Sequence, residues 1–205
     1  GTLNNGVDPI SGRKVGLETG DPRGFADYDE LYAAFMEQVR YFVDMKVRVS
    51  NYIDRMFAKY APATFLSLFI DDCIAKGRDY YNCGPRYNTT YIQCTGLGTI
   101  TDSLATLKKH IFEDKRWSMD ELLKAMANNF EGAEAMRQTI LNRTPFFGND
   151  DEYADTIAVK MFDDLYDAIE GKPNTKGECF HLNMLSTTCH VYFGKVMGAT
   201  PNGRL

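Results

Sequence analysis

Between Gly84 and Lys109 the chain reads GPRYNTTYIQCTGLGTITDSLATLKK, with room for a strand, a glycine turn and a helix and for little else. Tyr87 to Ile92 are aromatic, β-branched or turn-compatible residues that suit a pleated, packed segment. Gly96 and Gly98 break that run. Thr99 followed by Asp102 has the spacing of a capping box, which predicts a helix starting at Thr99. On that helix Leu104, Leu107 and Ile111 share one face, and Lys108, Lys109 and Glu113 stay wet. A strand, a tight turn and a capped helix in this order form the repeating unit of α/β barrels.

The flanking sequence is richer in helix than in strand. Residues 1–26 carry many Gly and Pro residues and read as irregular loop. From Asp29 to Lys59, Leu31, Phe35, Val39, Phe42, Val49, Ile53 and Met56 recur at steps of three, four or seven, which predicts one long helix ended by Pro62. Thr64 to Ile70 is a continuous apolar run that fits a strand buried on both faces. Asp71–Lys76 reads as a helical turn closed by Gly77. Ser118 with Glu121 forms a second capping box before the apolar face of Met119, Leu122, Leu123 and Met126. Helices are predicted over Ala133–Leu141 and from Asp150 to Ile169, the latter capped by Asn149 and stopped by Gly171 and Pro173. His181–Phe193 reads as a strand feeding a loop. No repeat, low-complexity tract or internal domain boundary is visible, so residues 1–205 read as one segment.

Composition excludes several classes of function. Of the 205 residues, 44% are apolar, enough for a globular core. The net charge of −5 and the lack of a basic cluster argue against nucleic acid or an anionic membrane as partner. No apolar run approaches the ~20 residues of a membrane helix. Cys73, Cys83, Cys94, Cys179 and Cys189 are odd in number and scattered, which fits reduced thiols in the cytoplasm and not a secreted disulfide frame.

Four groups invite a chemical reading that their spacing does not support. Cys179-x-His181 and Cys189-His190 suggest zinc, but the spacing matches no common finger or ribbon, and each pair is too close for undistorted tetrahedral ligation. A hydrogen-bonded structural role suits His190 better. Gly96-x-Gly98 before a helix suggests a phosphate cradle, yet it lacks the Gly-Lys-Ser/Thr of a P-loop and the third glycine of a dinucleotide fingerprint. Asp71-Asp72 and Asp150-Asp151-Glu152 read as solvated residues complementing helix dipoles.

Function enters through a resemblance. Arg86 to Gln93 and Gly96 to Leu104 are similar to the glycyl radical enzymes, the superfamily of pyruvate formate-lyase and the diol dehydratases. Leu3–Pro9 with Glu18–Arg23, Gly148–Asp155, Leu185–Gly194 and Gly198–Arg204 carry the same likeness, which runs from end to end and is strongest to the hydroxyproline dehydratase branch. The resemblance implies part of a ten-stranded β/α barrel surrounded by helices, and an internal fragment of roughly a quarter of its parent. It further implies a carbon–oxygen lyase acting on trans-4-hydroxy-L-proline through a thiyl radical, with the glycyl radical installed by a radical S-adenosylmethionine activating enzyme and the parent a homodimer.

In that branch the threonine matching Thr187, in a Leu-Pro-Thr-Thr-Cys-His stretch, lines the substrate pocket. Here the stretch is Leu185-Ser186-Thr187-Thr188-Cys189-His190, with serine in place of proline. Thr187 is therefore the expected substrate-binding residue, against the alternative that these threonines only fill a strand. The family's reactive cysteine sits in a Gly-Cys-Val-Glu-like loop with a glutamate base, and none of the five cysteines has that context. Cys83 and Cys94 stand where many relatives have glycine and read as small fillers. The catalytic cysteine, base and radical glycine are expected outside these residues, so the fragment alone is expected to be inactive, with no bound cofactor or metal. Another radical lyase or acyltransferase of unassigned substrate, or a non-catalytic scaffold paralogue, remain the alternatives.

Overall fold

Tyr28–Tyr60 forms one unbroken helix, α1, as the apolar spacing predicts. In the computed structural model, which describes residues 1–205, its first part belongs to one compact unit (Gly1–Val39, Cys94–Asp164 and Met184–Leu205) and its second part to another (Arg40–Gln93 and Leu165–Asn183). The apolar stripe is buried at Leu31 but emerges further along, where Val49 is 48% and Ile53 43% exposed.

In the first unit the helices are α4 (Leu97–Thr106), α5 (Met119–Ala127), α6 (Glu134–Arg143), most of α7 (Glu152–Ile169) and α8 (Cys189–Val196). Leu104, Leu107, Leu122, Phe130, Ile140 and Met161 fill its core. α5 starts at the expected capping box: Ser118 Oγ accepts the Glu121 N–H at 3.2 Å while Glu121 Oε2 accepts the Ser118 N–H at 2.7 Å. Between α4 and α5, Leu107–Glu113 winds as a π-helical turn. The N-terminal loop is fastened to α1 by buried Gln38, which exchanges hydrogen bonds with the Leu17 backbone in both directions (3.1 and 2.6 Å).

Two expected caps are replaced. α4 begins two residues before Thr99, because Gly96 adopts a left-handed φ of 82° that turns the chain directly into the helix. Thr99 lies inside the first turn, and the Asp102 carboxylate accepts the Phe147 N–H at 2.8 Å instead. α7 begins at Glu152, not Asp150. Asp151 Oδ1 accepts the Tyr153 N–H at 2.9 Å, and Asn149 donates to the Phe146 carbonyl.

The second unit holds α2 (Thr64–Ser67), α3 (Asp71–Lys76) and two strands, β1 (Thr90–Gln93) and β2 (Phe180–Asn183). The strands pair in parallel, with Thr90 opposite Phe180 and Gln93 opposite Asn183. Buried Ile92 and Phe180 anchor the pair. Asn174 braces its entry: its side chain donates to the Asn88 carbonyl at 2.6 Å and accepts the Lys176 and Glu178 N–H groups. β1 is shorter than the expected Tyr87–Ile92 strand. Within His181–Phe193 the expected strand is β2, ending at Asn183, and the expected loop follows and carries Thr187, but from Cys189 the chain is helix α8 and not loop.

The expected buried strand over Thr64–Ile70 is instead α2 and a turn. Phe65, Leu68 and Phe69 are 75%, 62% and 72% exposed, so the run is not sandwiched. A short apolar run does not by itself distinguish strand from helix. Here Phe65 and Phe69, one helical step apart, stack edge to face at 5.1 Å. Ser67 Oγ also bonds the Ala63 carbonyl at 2.8 Å, which holds the turn. α3 ends on Gly77, as expected.

Cys83 has a φ of 60°, in the left-handed region that penalises a Cβ. Cys83→Gly relieves that strain, offset in part by the entropy of a glycine in the unfolded chain. It is expected to stabilise the full-length protein by up to about 1 kcal/mol, read as a higher urea midpoint. Cys83→Ala, which keeps the Cβ, leaves the midpoint unraised.

Candidate functional site

Both strands end where a chemically varied segment begins: β1 runs into Cys94-Thr95-Gly96, and β2 into Met184–Thr188. After β2 the chain runs without regular structure to Thr187, and Thr188 then opens α8 without a side-chain cap. Thr187 is exposed. Its hydroxyl lies 2.7 Å from Cys189 Sγ, and its carbonyl accepts the His190 N–H at 3.1 Å. His190 was expected to be a hydrogen-bonded structural histidine, but its Nε2 is buried without a hydrogen-bond partner. The Thr187 hydroxyl, engaged with Cys189 Sγ, an unsatisfied imidazole nitrogen and the uncapped start of α8, whose Cys189 N–H has no intrahelical acceptor, thus occur within four residues.

α8 is held at its other end. Arg204 Nη2 donates to the Gly194 carbonyl, and Arg204 sits in a turn closed by Thr200 and Asn202. That turn is fixed twice more: Arg137 Nε donates to the Gly203 carbonyl at 2.7 Å, and the Asn202 side chain bonds Asp102. Burial pushes the Asp102 carboxyl up from its usual value, against the opposing hydrogen bonds from Phe147 and Asn202. The Gly96–Leu104 and Gly198–Arg204 stretches therefore meet at Asp102 and act as structural pins.

The other candidates fall into structural roles. Asp72 accepts two hydrogen bonds from Arg86 (3.0 and 3.2 Å), which holds its carboxyl below the usual range. The Gly96 turn starts α4. Cys179 Sγ lies 3.5 Å from His181 Nε2, and His181 Nδ1 meets Glu170. No group of three or more His, Cys, Asp or Glu side chains is arranged to hold a metal ion. Burial pushes the Cys94 thiol up. A groove of about 460 Å³ lies along the N-terminal loop beside Arg23 and Leu123, away from Thr187, and the Arg23 guanidinium there is taken up by Asp21 and Asp120.

His110 was not singled out from sequence, because its spacing places it only beside a helix face. It is wholly buried in the π-helical turn, with Nε2 2.9 Å from Thr144 Oγ1 and Nδ1 4.0 Å from Asp114 Oδ2. The Trp117 ring packs 5.4 Å away.

The chain matches the model of the pyruvate formate lyase-like family over residues 1–194, and it belongs to that family. It is 50% identical over its whole length to the trans-4-hydroxy-L-proline dehydratase of Clostridioides difficile, of which it covers 26%. It is 31% identical to the (2S)-3-sulfopropanediol dehydratase of Klebsiella oxytoca, covering 98% of this chain and 25% of that enzyme. It superposes with a TM-score of 0.94 on the Clostridioides difficile hydroxyproline dehydratase solved with trans-4-hydroxy-L-proline bound, covering all of this chain and 26% of that one. For the B12-independent glycerol dehydratase of Clostridium butyricum the score is 0.91 at 32% identity, covering 99% and 25%. The chain thus spans about a quarter of the length of these relatives and has the fold of part of a glycyl radical enzyme barrel.

Burial holds the His110 imidazole below its ordinary value, helped by the Arg116 and Lys109 charges and opposed by Asp114. The folded state therefore binds this proton less readily than the unfolded chain. The stability linked to His110 is complete above about pH 6.5 and declines as pH falls through the depressed value. Urea titrations from pH 7.5 to 5 should show this slope in the full-length protein, and His110→Gln should flatten it.

Proposed function

We propose that the full-length protein is a glycyl radical dehydratase, a carbon–oxygen lyase acting on trans-4-hydroxy-L-proline. One observation carries this reading: identity of 50% across the entire chain to a dehydratase whose solved structure holds that substrate. The residues belong to a single pyruvate formate lyase-like domain of a cytoplasmic homodimer. The thiyl cysteine, its glutamate base and the radical glycine lie outside the 205 residues, in keeping with the contexts of the five cysteines. A radical S-adenosylmethionine activating enzyme is the partner that installs the glycyl radical, which supplies abstraction of hydrogen from a substrate C–H bond.

The part played by this chain is binding. Thr187 holds the substrate carboxylate through its hydroxyl, with the uncapped start of α8 and His190 Nε2 as further partners. These groups suit an anion: the hydroxyl and the N–H donate, and an imidazole nitrogen left unpaired by the protein gains a partner when it carries the ring N–H. The barrel wall and its outer helices keep bulk water from the reacting centre. A second reading, a radical lyase with a different leaving group, draws on 36% identity to the isethionate sulfite-lyase of Desulfovibrio desulfuricans and on Ser186, which departs from the proline of the hydroxyproline branch.

The full-length protein, activated without oxygen and shown by EPR to carry its radical, is expected to dehydrate trans-4-hydroxy-L-proline to a cyclic imine. Absence of product from radical-bearing protein overturns the dehydratase reading. Thr187→Ala should raise KM by about tenfold or more, the loss of one hydrogen bond to a charged group, with radical content unchanged. Unaltered kinetics would remove Thr187 from the site.

A further inference from the structure

The strand that leads to Thr187 carries a second constellation in its own compact unit. Alternation along an extended chain puts Cys179 and His181 on one face. The tight return after α7 brings Glu170 alongside, since the Gly171 N–H bonds the Phe180 carbonyl and the Phe180 N–H bonds the Lys172 carbonyl at 2.7 Å. The Glu170 carboxylate accepts from His181 Nδ1, which leaves Nε2 as the basic nitrogen, 3.5 Å from Cys179 Sγ. Tyr91, opposite His181 in the strand register, packs its ring 5.7 Å from the imidazole and limits its rotation. The two cations nearby in sequence are engaged elsewhere, Lys172 with Asp44 and Lys176 with Asp54. Within these residues, about a quarter of the length of the relatives, the His181 and Glu170 side chains are 30% and 26% exposed and Cys179 is half-buried.

We propose that Cys179, His181 and Glu170 form a thiol-activating triad and that Cys179 is a modification site for low-molecular-weight disulfides. Nucleophile, base and a third group orienting the base are present in that order and within contact distance. In the reaction the Cys179 S–H proton moves to His181 Nε2, and Cys179 sulfur bonds one sulfur of the disulfide as the S–S bond breaks. The departing thiolate takes the proton back from His181. Cys179 is oxidised to a mixed disulfide and the released sulfur is reduced, so no further oxidant is needed. Glu170 fixes the imidazole tautomer and stabilises its charge while the proton is held. The site is separate from Thr187 and does not depend on the dehydratase reading.

The test treats the reduced full-length protein with a substoichiometric amount of the neutral disulfide 4,4′-dithiodipyridine and maps the modified cysteines by peptide mass spectrometry. Cys179 should react at least about tenfold faster than Cys189, although Cys189 is the more exposed. His181→Asn should slow Cys179 by about tenfold, and Glu170→Gln by less, with Cys189 unchanged. Equal rates for Cys179 and Cys189 in the native protein overturn the proposal whether or not the variants fold. A Cys179 rate unaffected in folded His181→Asn does the same.

Discussion

The parallel pairing of Thr90–Gln93 with Phe180–Asn183 is the contact on which the rest of this chain turns. It joins segments about 90 residues apart, and a parallel pair has no hairpin to hold its register. The register is held instead by side chains. Phe180 and Ile92 supply the buried apolar contact, and Asn174 and Glu178 bond the backbone of Asn88 before β1 begins. A slip of one residue would turn Phe180 to the opposite face and carry Cys179 and His181 with it. It would also displace the start of the loop that bears Thr187.

Asp102 plays the corresponding part in the other unit. A half-buried carboxylate is costly unless its oxygens are satisfied, and here the Phe147 N–H and the Asn202 side chain satisfy them. Two stretches on which the resemblance rests, Gly96–Leu104 and Gly198–Arg204, thus have structural roles that need no chemistry on a substrate. Gly96 turns the chain into α4, Asp102 collects the ends of two connections, and Arg204 bonds the Gly194 carbonyl in the last turn of α8. Pins of this kind fix a wall, and a fixed wall is what a binding loop needs to hold a ligand to within a fraction of an ångström.

Much of this was legible in the residues. The 33-residue helix α1, the Ser118–Glu121 box and the Gly77 stop follow from spacing and cap chemistry, which act over one turn of chain. The failures share a cause. Thr99 and Asp102 have capping-box spacing, but Asp102 has a partner 45 residues away that local sequence does not disclose. The apolar run from Thr64 looked like a buried strand because apolarity signals contact and not the kind of contact. Phe65, Leu68 and Phe69 stand exposed in α2 and its following turn. Thr187 is proposed on the resemblance alone, whereas the unsatisfied Nε2 of His190 is a property of packing that no spacing rule reports.

The three histidines show how environment assigns a role to one side chain. His110 is enclosed, shares its Nε2 with a threonine hydroxyl, and has its nearest carboxylate at 4.0 Å, too far for a hydrogen bond. Desolvation dominates, and the ring is kept neutral as part of the core. His181 is part-exposed and has a carboxylate on one nitrogen and a thiol by the other, so both ring nitrogens have a polar neighbour. His190 has neither arrangement: Nε2 is shielded from water with nothing bonded to it. A buried polar atom in that condition carries an unmet cost of about 1–3 kcal/mol, which a ligand can recover on binding. Of the three, His190 is the one placed next to Thr187.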